Sequence, residues 1–128
     1  MRLLIDTQIF IWAVLDSENL SQEARRIMID ASDIYVSAAS IWESSIKTKI
    51  GRLEGNPKLF VSAIENSGFK ELPVYSRHAT EVYKLPLLHN DPFDRLLIAQ
   101  AESEDFHLLT ADGMLGQYSD KIIQVKKS

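Results

Sequence analysis

Short runs of consecutive apolar residues alternate along this chain with longer segments that carry apolar side chains at helical spacing. Runs such as 3–5 and 34–36 have the length of buried strands. The segments between them repeat apolar residues three and four positions apart, which is the period of an amphipathic helix. This alternation predicts an α/β fold in which helices cover a mainly parallel sheet of four to five strands.

Cap and breaker residues set the bounds of these elements. Ser21 is a good helix N-cap, Pro57 and Pro92 suit the first helical position, and Gly51 ends a helix. Proline donates no ladder hydrogen bond, so the strand that contains Pro73 is expected at a sheet edge. The predicted strands are 2–5, 34–36, 72–74, 107–110 and 122–125. The predicted helices are 9–15, 21–30, 38–50, 57 to about 68, 76 to about 85, and 91–104.

Length and composition limit the class of protein. A chain of 128 residues fits one domain, 1–128, which can bury about two-thirds of the surface exposed by its unfolded chain. No apolar run approaches the about 20 residues that span a bilayer, and the N-terminus has no signal-peptide pattern. The absence of cysteine excludes disulfides and thiolate metal sites. We therefore expect a cytoplasmic protein without membrane contact.

Two acidic residues directly follow predicted strands. Asp6 comes after the first strand, and Asp112 comes two residues after the fourth. Open α/β sheets bind ligands at the carboxyl ends of their strands, so both side chains are expected at one edge. Each also has a local explanation, because Asp6 could be a turn or N-cap residue and Asp112 could be the turn residue of an Asp-Gly pair.

Two further acids lie on predicted helices. Glu43 shares a helical face with Ala39, Ile46 and Ile50, so it is expected on an inward apolar face, where a charge is costly. Asp94 is the third residue of its helix, whose N-terminus stabilises a negative charge by about 0.3–1 kcal/mol. Asp94 could instead complete a capping box.

Four converging carboxylates would repel one another strongly. Two unit charges about 4 Å apart repel by about 4 kcal/mol at an effective dielectric constant of 20, and only protonation or a cation relieves that repulsion. An all-oxygen site suits Mg²⁺ or Mn²⁺. Such an ion activates water and stabilises charge on a phosphate, so phosphodiester hydrolysis is the leading reaction class.

Net charge at first argues against a nucleic-acid partner. The chain has 14 basic and 18 acidic residues, a balance of -4. Setting the four carboxylates aside leaves equal numbers of acidic and basic side chains, and a bound cation would invert the local potential. For the basic clusters at 25–26, 47–52 and 126–127, a solvated face is the favoured interpretation and a phosphate contact is the alternative.

Other catalytic classes lack their motifs. His78, His89 and His107 are far apart, and none has a histidine four residues away, so we interpret them as surface or cap residues and not as zinc ligands. Neither a phosphate-binding P-loop nor a G-x-S-x-G elbow is present. The D-x-D-x-T signature of haloacid-dehalogenase-like phosphohydrolases fails because Gln8 occupies the second acidic position.

Four segments stand out in order along the chain: LLIDT at 3–7, WES at 42–44, DPFDRLLIAQA at 91–101 and LLTADGML at 108–115. In this order they resemble the PIN-domain nucleases, and most closely the VapC-type toxins of prokaryotic toxin–antitoxin operons. The similarity covers essentially the whole chain. It implies a three-layer α/β/α sandwich and an endoribonuclease that depends on Mg²⁺, with Mn²⁺ as a substitute.

The resemblance also assigns roles to individual residues. Asp6, Glu43 and Asp94 match the first three acidic ligands of the family, and Asp112 matches the more variable fourth. These four are therefore the expected catalytic and metal-binding residues. The expected supporting residues are Thr7 in the first motif, Thr110, whose hydroxyl matches a position that could bind or orient the activated water, and Asp91, which is expected to cap its helix.

A homodimer, an RNA substrate and a cognate antitoxin are implied in the same way. The family's antitoxins place a C-terminal segment along a groove of the toxin and can bring an arginine near the acidic pocket. Phe10, Trp12 and Met28 are possible contact residues, although core packing is the favoured explanation for all three. Two alternatives stay open: a non-catalytic binding module with a PIN fold, and a phosphohydrolase of another class.

Overall fold

Five strands and six helices alternate along the chain in a computed structural model that describes residues 1–128. The strands are β1 (Arg2–Ile5), β2 (Asp33–Ser37), β3 (Lys70–Leu72), β4 (His107–Thr110) and β5 (Ile122–Gln124). The helices are α1 (Thr7–Val14), α2 (Gln22–Asp30), α3 (Ala38–Lys49), α4 (Pro57–Asn66), α5 (Ser76–Glu81) and α6 (Pro92–Glu104). Short 3₁₀ turns follow at Val82–Lys84 and Leu115–Gln117. No helix has the length and apolar character needed to span a membrane.

The strands form one sheet in the order β3-β2-β1-β4-β5, and every neighbouring pair is parallel. The prediction of a mainly parallel sheet of four to five strands is confirmed. Strand β1 lies at the centre, with β2 on one side and β4 on the other. Chain connections leave this centre in both directions, which creates the crevice at the carboxyl ends of the strands where α/β proteins bind ligands.

Side chains of β1 alternate between two apolar cores, one on each face of the sheet. Leu3 and Ile5 belong to a core that also contains residues of α1, α2 and α4, whereas Leu4 packs with residues of α6. All three side chains are fully buried. Helices therefore cover both faces, as the three-layer α/β/α prediction requires.

Most predicted boundaries differ from the structure by up to two residues, as for α1, which begins at Thr7 instead of Ile9. Two of the differences have a clear physical reason. Strand β3 ends at Leu72 instead of beginning there, because its ladder with β2 runs from Lys70 and the proline at 73 lies beyond it. Its position at the sheet edge is as predicted. The fifth helix ends at Glu81 and continues as a 3₁₀ turn, so it stops short of Pro86.

The inward face of α3 is not the one expected from its isoleucines. Ile46 and Ile50 are 39% and 59% exposed, whereas the buried residues of this helix are Ala39, Ser40 and Ser44. The small side chains allow neighbouring helices to approach closely. Serine is tolerated there because the Ser44 hydroxyl donates a 2.8 Å hydrogen bond to the Ser40 carbonyl of the preceding turn.

Candidate active site and metal centre

Asp6 stands at the carboxyl end of the central strand, where α1 begins. Its Oδ1 accepts a hydrogen bond from the Ile9 backbone N–H at 2.9 Å, so Asp6 is the N-cap of α1. Its Oδ2 accepts a 2.6 Å hydrogen bond from the hydroxyl of Thr110. The N-cap alternative for this residue is therefore correct, and capping leaves the side chain at the edge where a ligand is expected.

Thr110 lies beneath the site and connects the ends of β1 and β4. Its hydroxyl is fully buried, donates its proton to Asp6, and accepts a 3.0 Å hydrogen bond from the Asp112 backbone N–H. Asp112 is the predicted turn residue, because its Oδ1 accepts from the Met114 N–H at 2.9 Å. Since the single proton of Thr110 is used by Asp6, this geometry favours holding that carboxylate over orienting a water molecule.

Helix α3 brings Glu43 to the same edge. Thr7 donates a 2.9 Å hydrogen bond to the buried Ser40 hydroxyl, which ties the start of α1 to α3. One turn further, the Glu43 side chain is only 12% exposed, and its Oε2 lies 3.3 Å from the Lys47 ammonium. The other oxygen, Oε1, is buried without a hydrogen-bond partner. Leaving a buried polar atom unpaired costs about 1–3 kcal/mol, so Oε1 is suited to a ligand.

The first turn of α6 contributes two acids with different tasks. Asp91 is the N-cap, as predicted, and its Oδ1 accepts from the backbone N–H groups of Phe93 and Asp94 at 2.8 and 3.2 Å. Asp94 does not complete a capping box. Its Oδ2 instead accepts a 2.9 Å hydrogen bond from Nε2 of His89.

The interpretation of the histidines as surface or cap residues is wrong for His89. Its side chain is 17% exposed, and Nε2 lies 3.8 Å from Asp112 as well as 2.9 Å from Asp94. The available signal was its place in the connection that enters α6, five residues before Asp94. His78 does cap α5 by accepting from the Tyr75 N–H, but it is fully buried instead of lying at the surface.

The acids described above line one open cleft of about 320 Å³, and His89 contacts Asp94 from outside that lining. Five of its residues are acidic: Asp6, Glu43, Asp91, Asp94 and Asp112. The others are Thr7, Gln8, Trp12, Lys47, Ala111 and Lys127. The structure thus brings together the four sequence-predicted ligands and Asp91, although Thr110 is beneath the cleft and not in its lining.

Two lysines from the basic clusters line the acidic cleft, although the sequence favours a solvated face for these clusters. Lys47 is four residues after Glu43 on the same helix, and this spacing predicts an ion pair between them. Lys127 is in the C-terminal segment, and no local motif marks it as a neighbour of the cleft. One residue from each of two basic clusters therefore reaches the acidic site.

Burial and mutual repulsion perturb two of the acids. The pKa of Asp6 rises from 3.8 to about 7, mainly because burial disfavours its charge, with further contributions from the negative charges of Asp94 and Glu43. The pKa of Asp94 rises to about 6, again mainly through burial and then through the charges of Asp91 and Glu43. Hydrogen bonds from Thr110 and His89 act in the opposite direction. The protein therefore does not supply enough neighbouring positive charge to offset the burial and repulsion of these two carboxylates.

A hard divalent cation fits this set of donors. The cleft offers carboxylate oxygens from separate elements, and the buried Oε1 of Glu43 has no partner within the protein. Oxygen donors with spare negative charge are the ligands that Mg²⁺ and Mn²⁺ prefer.

The three residues suggested as partner contacts have different environments. Phe10 is fully buried in the core, so the core-packing explanation is correct for it. Trp12 is half-buried, packs against the same core and also lines the acidic cleft. Met28 packs against that core too, and it lines a separate apolar groove with Leu20, Ile34 and Phe69.

Comparison with known proteins gives the family. The model of the PIN domain family matches residues 3–121. The chain therefore belongs to the PIN domain family, which agrees with its fold and with the acids gathered at the carboxyl edge of its sheet. No match is found among curated proteins.

Several solved structures have the same fold as this chain. VapBC2 from Rickettsia felis, bound to a DNA fragment from its promoter, is 13% identical, with all of both chains covered and a TM-score of 0.71. A toxin–antitoxin complex from Klebsiella pneumoniae is 18% identical over 95% of this chain and 96% of that one, with a TM-score of 0.65. VapC20 of Mycobacterium tuberculosis, a toxin that cleaves the sarcin–ricin loop, is 13% identical over 97% and 98%, with a TM-score of 0.60.

Proposed function

We propose that this protein is a VapC-type toxin, an endoribonuclease that depends on a divalent cation and hydrolyses RNA phosphodiester bonds. The observation that carries the proposal is the convergence of Asp6, Glu43 and Asp94 from three separate elements into one cleft, where burial and mutual repulsion hold two of them at raised pKa values. Membership of the PIN family and the likeness to a toxin described as cleaving the sarcin–ricin loop support it. Residues 1–128 would form a single nuclease domain.

Four carboxylates would hold the cation, which we take to be Mg²⁺ with Mn²⁺ as a substitute: Asp6, Glu43, Asp94 and Asp112. Asp91 would remain a helix cap at the rim. When bound, such an ion lowers the pKa of water and offsets negative charge at a phosphate.

The protein's own groups prepare the site and receive the RNA. The Thr110 hydroxyl and the N-terminus of α1 fix both oxygens of Asp6, so this carboxylate does not need to reorganise during the reaction. Lys47 and Lys127 line the same cleft and would contact RNA phosphates beside the cut. Trp12 offers an aromatic surface on which a base of a single strand could stack.

Cleavage of a mixed RNA panel tests the proposal. The panel contains single strands, hairpins and a sarcin–ricin loop, and the antitoxin-free protein is assayed with Mg²⁺, with Mn²⁺ and with EDTA. We expect metal-dependent cutting that Asp6→Asn abolishes. Asp105→Asn is the matched control, because Asp105 is an exposed acid in a left-handed conformation that asparagine also adopts, and it lies at the opposite end of α6 from Asp94 and outside the cleft lining. A folded, metal-binding protein that cuts nothing would favour the binding-module alternative.

A cognate antitoxin would be the second partner, and both partners would be met in the cytoplasm. The support is the toxin–antitoxin origin of the similar structures. We expect a small antitoxin gene beside the toxin gene, and co-expression of its product should suppress cleavage. Purified protein whose activity is unchanged by that product would contradict this part of the proposal.

We also propose a homodimer. An apolar surface formed by α3, α5 and the start of α6 has six hydrophobic residues among the seven that line it. Trp42 is 62% exposed there and packs edge to face on Phe93 with ring centroids 4.9 Å apart. Trp42→Glu should convert a dimer into a monomer in light scattering, whereas glutamate at the exposed Tyr83 outside that lining should not.

A further inference from the structure

His89 stands close enough to two of the acids to share a ligand with them. Its Nε2 lies 2.9 Å from Asp94 Oδ2 and 3.8 Å from Asp112 Oδ2, and one ligand atom from each residue can be chosen so that all three lie within 4.8 Å of one another. In an octahedral shell with a radius of about 2.1 Å, adjacent ligands are about 3.0 Å apart and opposite ligands about 4.2 Å. The two separations of His89 Nε2, 2.9 and 3.8 Å, lie close to or within this range. They suit ligands of a single ion when the imidazole carries its proton on Nδ1, because Nε2 cannot bind a metal while it donates its proton to Asp94.

The loop that carries His89 is fixed by the residue that follows Asp94. The Arg95 guanidinium donates hydrogen bonds of 2.8–3.5 Å to four backbone carbonyls before α6 and to one tyrosine hydroxyl. These acceptors are the carbonyl oxygens of Pro86, Leu85, Val82 and His89 and the hydroxyl of Tyr118. One turn of α6 thus directs Asp94 into the cleft and holds His89 beside it, so the placement of the imidazole is built into the fold.

We propose that His89 supplies a nitrogen ligand to the cation held by this cleft and shifts the cation preference from Mg²⁺ toward first-row transition ions such as Mn²⁺. The inference rests on the proposed function in requiring that the acids bind a divalent cation. Mg²⁺ takes oxygen ligands almost exclusively, whereas imidazole nitrogen is a good ligand for first-row transition ions. The acids alone would give a site of oxygens only, and His89 makes it a mixed site.

A purely positioning role for His89 gives a different expectation. In that case its N–H would only hold the carboxylate of Asp94 through the 2.9 Å hydrogen bond. His89→Gln separates the two roles, because a glutamine amide can reproduce the donor near the position of Nε2 but has no imidazole nitrogen to offer. His107→Gln is the matched control, since His107 is a half-buried histidine at the start of β4 and does not belong to the group that His89 forms with Asp94 and Asp112.

Pulsed electron paramagnetic resonance on the Mn²⁺-loaded protein is the direct test. We expect a ¹⁴N coupling typical of a ligated imidazole in the wild type and in His107→Gln, and its loss in His89→Gln. Selective labelling of histidine with ¹⁵N should replace this ¹⁴N coupling by a ¹⁵N coupling in the wild-type chain. The assignment then does not depend on whether a variant folds. Mn²⁺ that binds without any histidine coupling would overturn the ligand assignment and leave the proposed nuclease intact.

Calorimetric titration then measures the preference. His89→Gln should weaken Mn²⁺ binding by roughly tenfold or more and change Mg²⁺ binding less, given that even outer partners of metal ligands cost about that much. If His89→Gln lost the same affinity for both ions, or bound Mn²⁺ as tightly as the wild type does, His89 would have only a positioning role. Either result would overturn the proposal. A wild-type protein that binds neither ion would overturn both this inference and the metal dependence of the proposed function.

Discussion

Two histidine–carboxylate pairs in this protein contain the same chemical groups but differ in how neighbouring charges balance the carboxylate. In the first, fully buried His78 places Nε2 2.6 Å from Glu104, and its Nδ1 accepts from the Tyr75 backbone N–H. Glu104 also binds Arg77, and hydrogen bonds from His78 and Arg77 lower the pKa of its carboxyl group. This pair joins α5 to the end of α6, and its polar groups are matched within the protein.

The second pair, His89 and Asp94, lies at the other end of α6. Here no arginine or lysine pairs with the carboxylate, two acidic neighbours face it, and the pKa of Asp94 rises to about 6. Charge is balanced in the first pair and left in excess in the second. A carboxylate that the protein itself stabilises contributes to folding, whereas one left with unbalanced charge is available to a ligand.

Carboxylate-to-amide substitution at the second pair should give the largest effect on cleavage. Asp94→Asn should reduce the rate of RNA cleavage by roughly a hundredfold or more, since charge stabilisation by a metal ion is worth several kcal/mol. It should leave the metal-free protein as stable as the wild type or more stable, because a source of repulsion is removed. Cleavage rates and thermal melting in EDTA check the two parts. A folded Asp94→Asn protein that cuts RNA at the normal rate would contradict the site.

The same change at the first pair should have the converse result. Glu104→Gln removes the charged acceptor shared by His78 and Arg77, and we expect a loss of roughly 1–3 kcal/mol in the free energy of unfolding. Cleavage measured well below the melting temperature should stay near the wild-type rate. Urea denaturation and the RNA assay give both quantities, and a stable but inactive Glu104→Gln would erase the distinction between the pairs.

Stability of the metal-free protein should depend on pH with opposite signs for the cleft acids Asp6 and Asp94 and for Glu104. Asp6 and Asp94 have folded pKa values of about 7 and about 6, above the ordinary 3.8, so the folded state binds more protons than the unfolded state between these limits. Their contribution to stability is fully present below about pH 4 and is lost as pH rises to about 7. The pKa of Glu104 is lowered from 4.5, so its contribution is present above that value and is lost on further acidification.

Melting temperatures measured in EDTA from about pH 5 to about pH 7 isolate the first of these trends. The wild type should lose stability over this range relative to Asp6→Asn, and Mn²⁺ or Mg²⁺ should restore it by binding the folded state. Identical slopes for the two proteins would show that Asp6 does not carry the excess charge.

Residues whose roles depend on local rules could be predicted from the sequence. The N-cap at Asp91, the proline after it and the strand before Asp112 lie within a few residues of the features they control. Asp6 and Asp112 could be placed because they follow strands. Glu43 and Asp94 could be placed because helical spacing indicated inward faces. Periodicity also misled, because Ile46 and Ile50 suggested an inward face that α3 builds from small residues.

His89 and Lys127 could not be found in this way, since neither lies on a periodic element. Their places depend on how a loop and the C-terminal segment return to the cleft. Arg95 holds that loop through backbone carbonyls, which every residue type possesses, so the contact has no signature in the sequence. The fold was therefore predictable from local pattern, but the position of His89 beside Asp94 and of Lys127 in the cleft lining was not.

Asp91→Asn should give the smallest effect, and it sharpens the boundary between cap and ligand. Asparagine caps a helix about as well as aspartate, so α6 and the position of Asp94 should be preserved. The variant loses a charge that raises the pKa of Asp94, and cleavage should stay within a few-fold of wild type. Asp91→Ala lacks the cap and should lose about 1 kcal/mol of stability, with a larger loss of activity because the turn that carries Asp94 loosens. If Asp91→Asn were instead as inactive as Asp94→Asn while fully folded, Asp91 would have to be counted among the metal ligands.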